Sequence, residues 1–445
     1  MKEKFSGLPL LNPKKWPFFY GWWIILMGTF GVLMSVPGQT IGVSTFTDSL
    51  IEALSISRDQ LSTAYMFGTI LSSLMLTKAG RLYDRVGIRF VAMGASFMLG
   101  FALIYMSYVD VIAFSFFKNS THLKIYTAFA AILIGFMAIR FFGQGVITLV
   151  SRTMMMKWFD QRRGFAMGFS NVMVALSFSS APLVFEALIQ QYDWRTAWQM
   201  MSMVLFFVFP VVILLFFRDD PRDYGLSPDG ISVDPNQPLK KKRFEVKKDF
   251  TLKEARKTYT FWIFAGFLAM HGLYITGFTF HVVSIFEEVG MSRADAVSIF
   301  QPAAVVAVVI TLIFSPLSDL MRLKYLAMIM ASGYFTSIIG MAFLSPEGFA
   351  FYILILGTGM IMGLSGVVGA VCWPRFFGKT HLGAIGGNVM TFIVFGSALG
   401  PVLFSASLSQ TGTYNLAAWG CFGLFLILFF GAFWANNPQD KVALD

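Results

Sequence analysis

The chain alternates long apolar runs with short polar interruptions from about residue 18 to residue 435. A helix crossing a bilayer needs roughly 20 mostly apolar residues, because the hydrocarbon core is about 30 Å thick. Runs of that length are predicted at 18–48, 60–79, 88–108, 125–153, 163–187 and 196–217. A second set follows at 259–287, 296–315, 325–344, 349–373, 383–407 and 414–435. The pattern predicts an all-α membrane protein of twelve transmembrane helices in two pseudo-symmetric six-helix bundles. The expected boundaries are 1–217 for the first bundle, 218–257 for a polar linker and 258–445 for the second bundle.

Charge orients these spans, since Lys and Arg concentrate on the cytoplasmic side. With the N-terminus inside, the inner segments include Lys14-Lys15, Arg81 to Arg89, Lys157 to Arg163, Lys240 to Lys257, Arg322 to Lys324 and Arg375 to Lys379. The outer segments, among them Gln190 to Asp193 and Glu287 to Asp295, are neutral, acidic or weakly basic. Both termini are therefore expected in the cytoplasm of a multi-pass protein of the cell (inner) membrane. The net charge of +10 then reads as topology and contact with lipid headgroups, and no nucleic-acid partner is expected. The polar start runs into a first apolar stretch too long for a signal peptide and without a small-residue cleavage site, so that stretch is expected to remain as the first span. The triplet Asn119-Ser120-Thr121 has glycosylation spacing and is taken as chance.

The two halves repeat. Gly80-Arg-Leu-Tyr-Asp84 follows the second span and Ser315-Pro-Leu-Ser-Asp319 follows the eighth. Gly164-x-x-x-Gly168 and Pro182 in the fifth span match Gly383-x-x-x-Gly387 and Pro401 in the eleventh. Asp84 and Asp319 are 235 residues apart, whereas the two glycine pairs and the prolines are each separated by 219. A longer third-to-fourth connection in the first half accounts for the difference. Small residues four apart let helices approach closely in lipid, and the proline favours a bend.

Composition agrees. Only 13% of residues are charged, against roughly a quarter in soluble domains, and the mean hydropathy is +0.67. The two cysteines and four histidines show no metal-ligand or disulfide spacing. No nucleophile triad or nucleotide loop is present, so neither an enzyme nor a cofactor is expected.

Gly80-Arg-Leu-Tyr-Asp84-Arg85-Val-Gly87-Ile-Arg89 resembles the signature loop of the major facilitator superfamily, and Arg140-Phe-Phe-Gly143-Gln144-Gly145 resembles its fourth-helix motif. Lys157 to Gly168, Arg218 to Gly230, Phe376 to Gly383 and Ser397 to Pro401 are similar to the monocarboxylate-transporter and oxalate–formate antiporter branch. The resemblance implies a secondary carrier of a small organic anion, a monocarboxylate or short dicarboxylate. It would work by alternating access, with proton symport or anion exchange. Two other readings stay open: a carrier of a neutral sugar or amino acid, and a membrane sensor without transport.

Ionisable groups inside a membrane are costly and mark function. Arg140 lies near the middle of the fourth span with Gln144 four residues on, and a guanidinium suits a carboxylate. The eighth and eleventh spans offer no central cation of their own. His271, near Tyr274 in the seventh span, is placed to carry a proton. Gln39 follows the helix-breaking Pro37-Gly38, and Tyr65 and Asn388 are polar enough to line a pathway. Expected substrate contacts are therefore Arg140, Gln144, Gln39, Tyr65, His271, Tyr274 and Asn388. Expected coupling or gating residues are His271, Asp84, Arg85 and Asp319.

Overall fold

The computed structural model describes residues 12–115, 121–230, 244, 246–346 and 348–442, and these form helices and connecting turns. The basic run Lys240–Arg243 and the pair Asn119–Ser120 lie outside the described residues. The first half contains α1 (Gly21–Met34), α2 (Arg58–Val86) and α3 (Ile88–Ser107). Its α4 runs from Thr121–Ile139 through a π-helical stretch, Arg140–Ile147, into Thr148–Trp158, and α5 (Arg163–Tyr192) and α6 (Trp194–Phe216) follow. The second half contains α7 (Tyr259–Glu288), α8 (Phe300–Ser318), α9 (Leu323–Ala342), α10 (Ala350–Phe377), α11 (Leu382–Thr411) and α12 (Asn415–Trp434). The predicted spans fall on these helices, except that the first covers α1 and the turn that follows it.

Local chemistry sets several of their ends. Ser57 and Gln60 form a reciprocal capping box that starts α2, satisfying backbone donors the helix itself cannot. Gly87, at φ 86°, separates α2 from α3 by a turn that L side chains rarely adopt. At the head of α6, Asp193 accepts from the backbone N–H groups of Arg195 and Thr196.

Among the described residues, ten helices are long and apolar enough to cross a membrane. The other two predicted spans have physical reasons to fall short. The first is interrupted by a 3-10 turn at Val36–Gly38, which leaves an apolar helix of 14 residues, Gly21–Met34. The second lies within α2, a 29-residue helix whose apolar positions are diluted by Ser, Thr, Lys and Arg. Large apolar side chains such as Leu183, Phe207 and Ile427 stay exposed along the helices, as a lipid-facing surface requires. The protein is an integral, multi-pass membrane protein.

The chain divides into two compact units, Met1–Trp158 with Met173–Ser232 and Gly386–Thr391, and Phe159–Val172 with Val233–Ile385 and Phe392–Asp445. In the first unit, the turn after α6 folds back on the helix ends. The Asp219 carboxylate accepts from the Tyr83 hydroxyl at 2.5 Å and from Lys157 Nζ at 2.9 Å. Lys157 also sits over the Tyr83 ring, and Trp158 Nε1 donates to the Arg218 carbonyl. In the second unit, Phe250 N donates to the Phe377 carbonyl, and Asp249 accepts from Lys379 N and the Thr380 hydroxyl. Buried Gln439 accepts from Lys247 N and donates to the carbonyls of Lys248 and Phe376. Both described ends of the polar stretch are thus bound to their own units.

Lys157 is only 5% exposed, so Asp219→Ala takes a carboxylate away from a buried ammonium. Removing one partner of a buried ion pair costs about 3–5 kcal/mol. Thermal unfolding in detergent is expected to show a clear loss of stability for Asp219→Ala and a smaller one for Asp219→Asn.

Candidate functional site

Two glycines shape the centre of the first unit. A Cβ on Gly38 would lie 2.2 Å from the Ile139 carbonyl oxygen and 2.9 Å from the Gly143 Cα. A Cβ on Gly143 would meet the Gly38 Cα, also at 2.9 Å. The 3-10 turn therefore presses its backbone directly on the π-helical stretch of α4. Such π-bulges recur at functional sites because they re-aim side chains that a regular helix would fix elsewhere.

Here the re-aimed side chain is Arg140. It is 2% exposed, and its Nη1 donates at 3.3 Å to both the Gly38 carbonyl and the Thr40 hydroxyl. Its Cζ lies 5.1 Å from the centre of the Tyr65 ring, and the Tyr65 hydroxyl donates to Thr40 Oγ1 at 3.0 Å. Nε and Nη2 of Arg140 are buried and meet no acceptor among the described residues. Gln144 Oε1 is likewise buried without a donor. Gln39 is turned to a different task, because its amide nitrogen donates to Ser35 Oγ and Thr148 Oγ1 and braces the turn against α4.

The second unit holds His271 and Tyr274. His271 Nδ1 lies 2.7 Å from the Tyr334 hydroxyl, and the Tyr274 hydroxyl lies 2.9 Å from Ser337 Oγ. Ser337 continues to Thr358 at 3.1 Å, and Tyr334 stacks on Phe425 with ring centres 3.7 Å apart. Both α7–α9 bonds join residues 63 apart in sequence, so the two helices run parallel and in register there.

Asn388, in the stretch of α11 that belongs to the first unit, donates to Thr77 Oγ1 at 3.3 Å, while Thr391 donates to the Ser73 carbonyl. The structure thus groups Arg140, Gln144 and Tyr65 around Gly38, His271 and Tyr274 with Tyr334 and Ser337, and Asn388 with Thr77. Arg152, also on α4, was not expected from the sequence. It is half-buried on that helix. An arginine inside an apolar run was a signal the sequence did carry.

Of the expected gating residues, Asp84 is half-buried and Arg85 exposed at the end of α2. Asp319 caps the start of α5, with its carboxylate accepting from the backbone N–H of Gly164 at 2.9 Å and Phe165 at 3.2 Å. Arg375 lies 3.5 Å from the same carboxylate and donates to the Ser318 carbonyl. A carboxylate at a helix N-terminus also meets the positive end of the helix dipole. The glycine pair that opens α5 makes this possible, since a Cβ on Gly164 would lie 2.0 Å from the Ser315 carbonyl oxygen. Within the first unit, Gly387 makes the matching approach to α2, 2.5 Å from the Leu76 carbonyl by the same measure.

The family model of the Major Facilitator Superfamily matches residues 18–401. The chain belongs to the major facilitator superfamily. Among curated proteins it is similar to the uncharacterized MFS-type transporter YhjX of Escherichia coli, 22% identical over 81% of this chain and 82% of that protein. Two solved structures of MFS proteins share the fold. The fucose:proton symporter FucP of E. coli has a TM-score of 0.60 at 12% identity, covering 94% of this chain and 98% of that one. The human organic anion transporter MFSD10 has a TM-score of 0.60 at 13% identity, covering 92% and 99%. As an MFS member the chain is a transporter and not an enzyme, and its class of mechanism is secondary transport by alternating access.

Burial pushes the Asp319 carboxyl above its ordinary value of 3.8, against the pull of the Gly164 and Phe165 N–H groups and of Arg375 and Arg163. The folded protein then binds this proton more tightly than the unfolded chain. Its contribution to stability falls as pH rises from 3.8 through the raised value. Asp319→Asn is expected to flatten that part of the melting-temperature profile against pH, and an unaltered slope would count against the assignment.

Proposed function

We propose that this MFS transporter moves a small organic anion, a monocarboxylate or short dicarboxylate, by alternating access with proton symport or anion exchange. The observation that carries the reading is the pair of buried, unaccepted nitrogens on Arg140. Nε and Nη2 are the edge of the guanidinium whose N–H bonds run parallel, the geometry that grips a carboxylate with two hydrogen bonds. A buried polar group left without a partner costs about 1–3 kcal/mol, and more when charged. A carboxylate supplies both acceptors and the opposite charge in one ligand.

His271 is the candidate proton carrier, held at Nδ1 by the Tyr334 hydroxyl, with Tyr274 beside it in the same ladder. Gln144 and Tyr65 border Arg140, and Gln39 acts by bracing the turn that carries Gly38. Asn388 belongs to a separate hydroxyl-lined contact with Thr77. Asp319, with Asp84 and Arg85, forms the gating set. The Lys and Arg content of the inner loops supports an inner-membrane protein with both termini cytoplasmic.

The competing reading is a neutral solute, with Arg140 structural. It draws on the Nη1 bonds to Gly38 and Thr40 and on the fold shared with a fucose:proton symporter. Purified protein is expected to be stabilised against heat by small carboxylates, and Arg140→Gln is expected to abolish that shift while remaining folded. Stabilisation by a sugar that survives Arg140→Gln would favour the neutral solute and overturn the anion reading.

A further inference from the structure

The second unit holds a cavity of about 180 Å³ where the start of α9, the end of α10 and the turn after α12 meet. Arg322, Lys324 and Arg375 line it, and Asp440 is the one carboxylate among its described lining residues. Phe244 closes one side, with its ring centre 4.6 Å from the Arg375 Cζ.

The hydrogen bonds around this cavity use up acceptors and leave donors. Asn436 Oδ1 accepts from Lys324 Nζ at 2.9 Å, and Asn437 Oδ1 accepts from the backbone nitrogen of Gln439 at 3.1 Å. Each of these two lining side chains keeps its amide NH2 group as a donor. Lys324 gives a second N–H to the Phe433 carbonyl at 3.2 Å, and an ammonium has three. Arg375 spends Nη1 on the carbonyls of Ser318 and Met321, while its Nη2 stands 3.5 Å from Asp319. Arg322 is exposed at the head of α9, and its side chain does not cap that helix. Leu323, the first residue of α9, also lines the cavity, so the positive end of the helix dipole adjoins it.

We propose that this cavity binds a phosphate group, carried either by a free anion or by the headgroup of an anionic lipid. Three cations, two amide donors and a helix start converge there against one carboxylate, and a phosphate brings negative charge with several acceptor oxygens. The volume lies below the roughly 300 Å³ at which pockets for drug-sized ligands begin, so it suits a single phosphate and not a whole nucleotide. Tyr325 and Trp434, each next in sequence to a lining residue, are exposed. Aromatic residues of this kind mark the membrane surface, which puts lipid headgroups within reach. Arg375 is shared with Asp319, so an occupied cavity draws on the guanidinium that also faces the cap of α5. The site needs nothing from Arg140.

Purified full-length protein in neutral detergent is titrated with inorganic phosphate, with chloride holding the ionic strength constant, and binding is read by thermal shift. A parallel arm incubates the protein with phosphatidylglycerol or phosphatidylcholine and measures the retained lipid by native mass spectrometry. Arg322→Gln, a change to an exposed side chain, is expected to weaken phosphate binding roughly tenfold. Asp440→Asn is expected to strengthen it about twofold or more, and Arg140→Gln to leave it unchanged. Phosphate binding with this pattern supports the site and identifies a free anion as its ligand. Preferential retention of phosphatidylglycerol that falls in Arg322→Gln, without a phosphate shift, supports the site and identifies a lipid headgroup. Wild-type protein that binds neither, or binding indifferent to both Arg322→Gln and Asp440→Asn, overturns the proposal. A phosphate shift that disappears in folded Arg140→Gln belongs to the first unit and overturns it as well.

Discussion

The contact between Gly38 and Gly143 is the constraint on which the centre of the first unit depends. Two backbones meet where neither position has room for a Cβ. On one side the chain leaves α1 through a 3-10 turn, and on the other α4 widens into a π-helical stretch. In a hydrocarbon environment such irregular backbone is tolerated only where protein or a water-filled cavity surrounds it. Ser35, Gln39 and Thr148 supply that surrounding, since their side chains bond to one another across the contact. The same irregularity exposes the Gly38 carbonyl to Arg140. A regular α1 would have spent that oxygen within its own helix, and a regular α4 would have presented a different face at residue 140.

The two units solve the polar-group problem differently. In the second, the ladders His271–Tyr334 and Tyr274–Ser337–Thr358 join side chain to side chain across parallel helices. Each such group has a named neighbour. The first unit instead concentrates a fixed charge in Arg140 and leaves part of it unmatched. Hydrogen bonds between membrane helices contribute only modestly, because the alternative partners within lipid are also available. The second-unit ladder is therefore better understood as register and orientation than as a large source of stability.

Much of this arrangement was legible in the chain itself. Run length located the spans, and the 219-residue offset placed the glycine pairs of α5 and α11 at equivalent helix starts. Arg140 stood out because charge is expensive in lipid. What the sequence hid was pairing at a distance. Pro37-Gly38 announced an irregular helix but not that Gly143 would press upon it, and Gln39 looked like a ligand-facing amide although it braces the turn. Tyr334 and Ser337 repeat the three-residue spacing of His271 and Tyr274, a coincidence with meaning only once α7 and α9 are known to be in register. Asp219 looked like part of a polar linker, and its burial against Lys157 and Tyr83 depends on a chain reversal that no local pattern encodes. Arg152 is a different case, for its charge is visible in the run itself.

An unmatched guanidinium also bears on how the carrier would cycle under the anion reading. A charge held in low dielectric without a counter-ion is penalised by several kcal/mol, and closing the protein around it removes what screening remains. With a carboxylate bound, the site is neutral and the conformational change moves no uncompensated charge. Without one, the same change has to enclose a bare cation. The loaded protein then changes state more easily than the empty one, and this is the condition for exchanging one anion for another. Proton symport requires in addition that the empty carrier return, so a second group must lower the cost of enclosing Arg140 or the cation must be met from another source. Exchange therefore asks less of these residues than symport does.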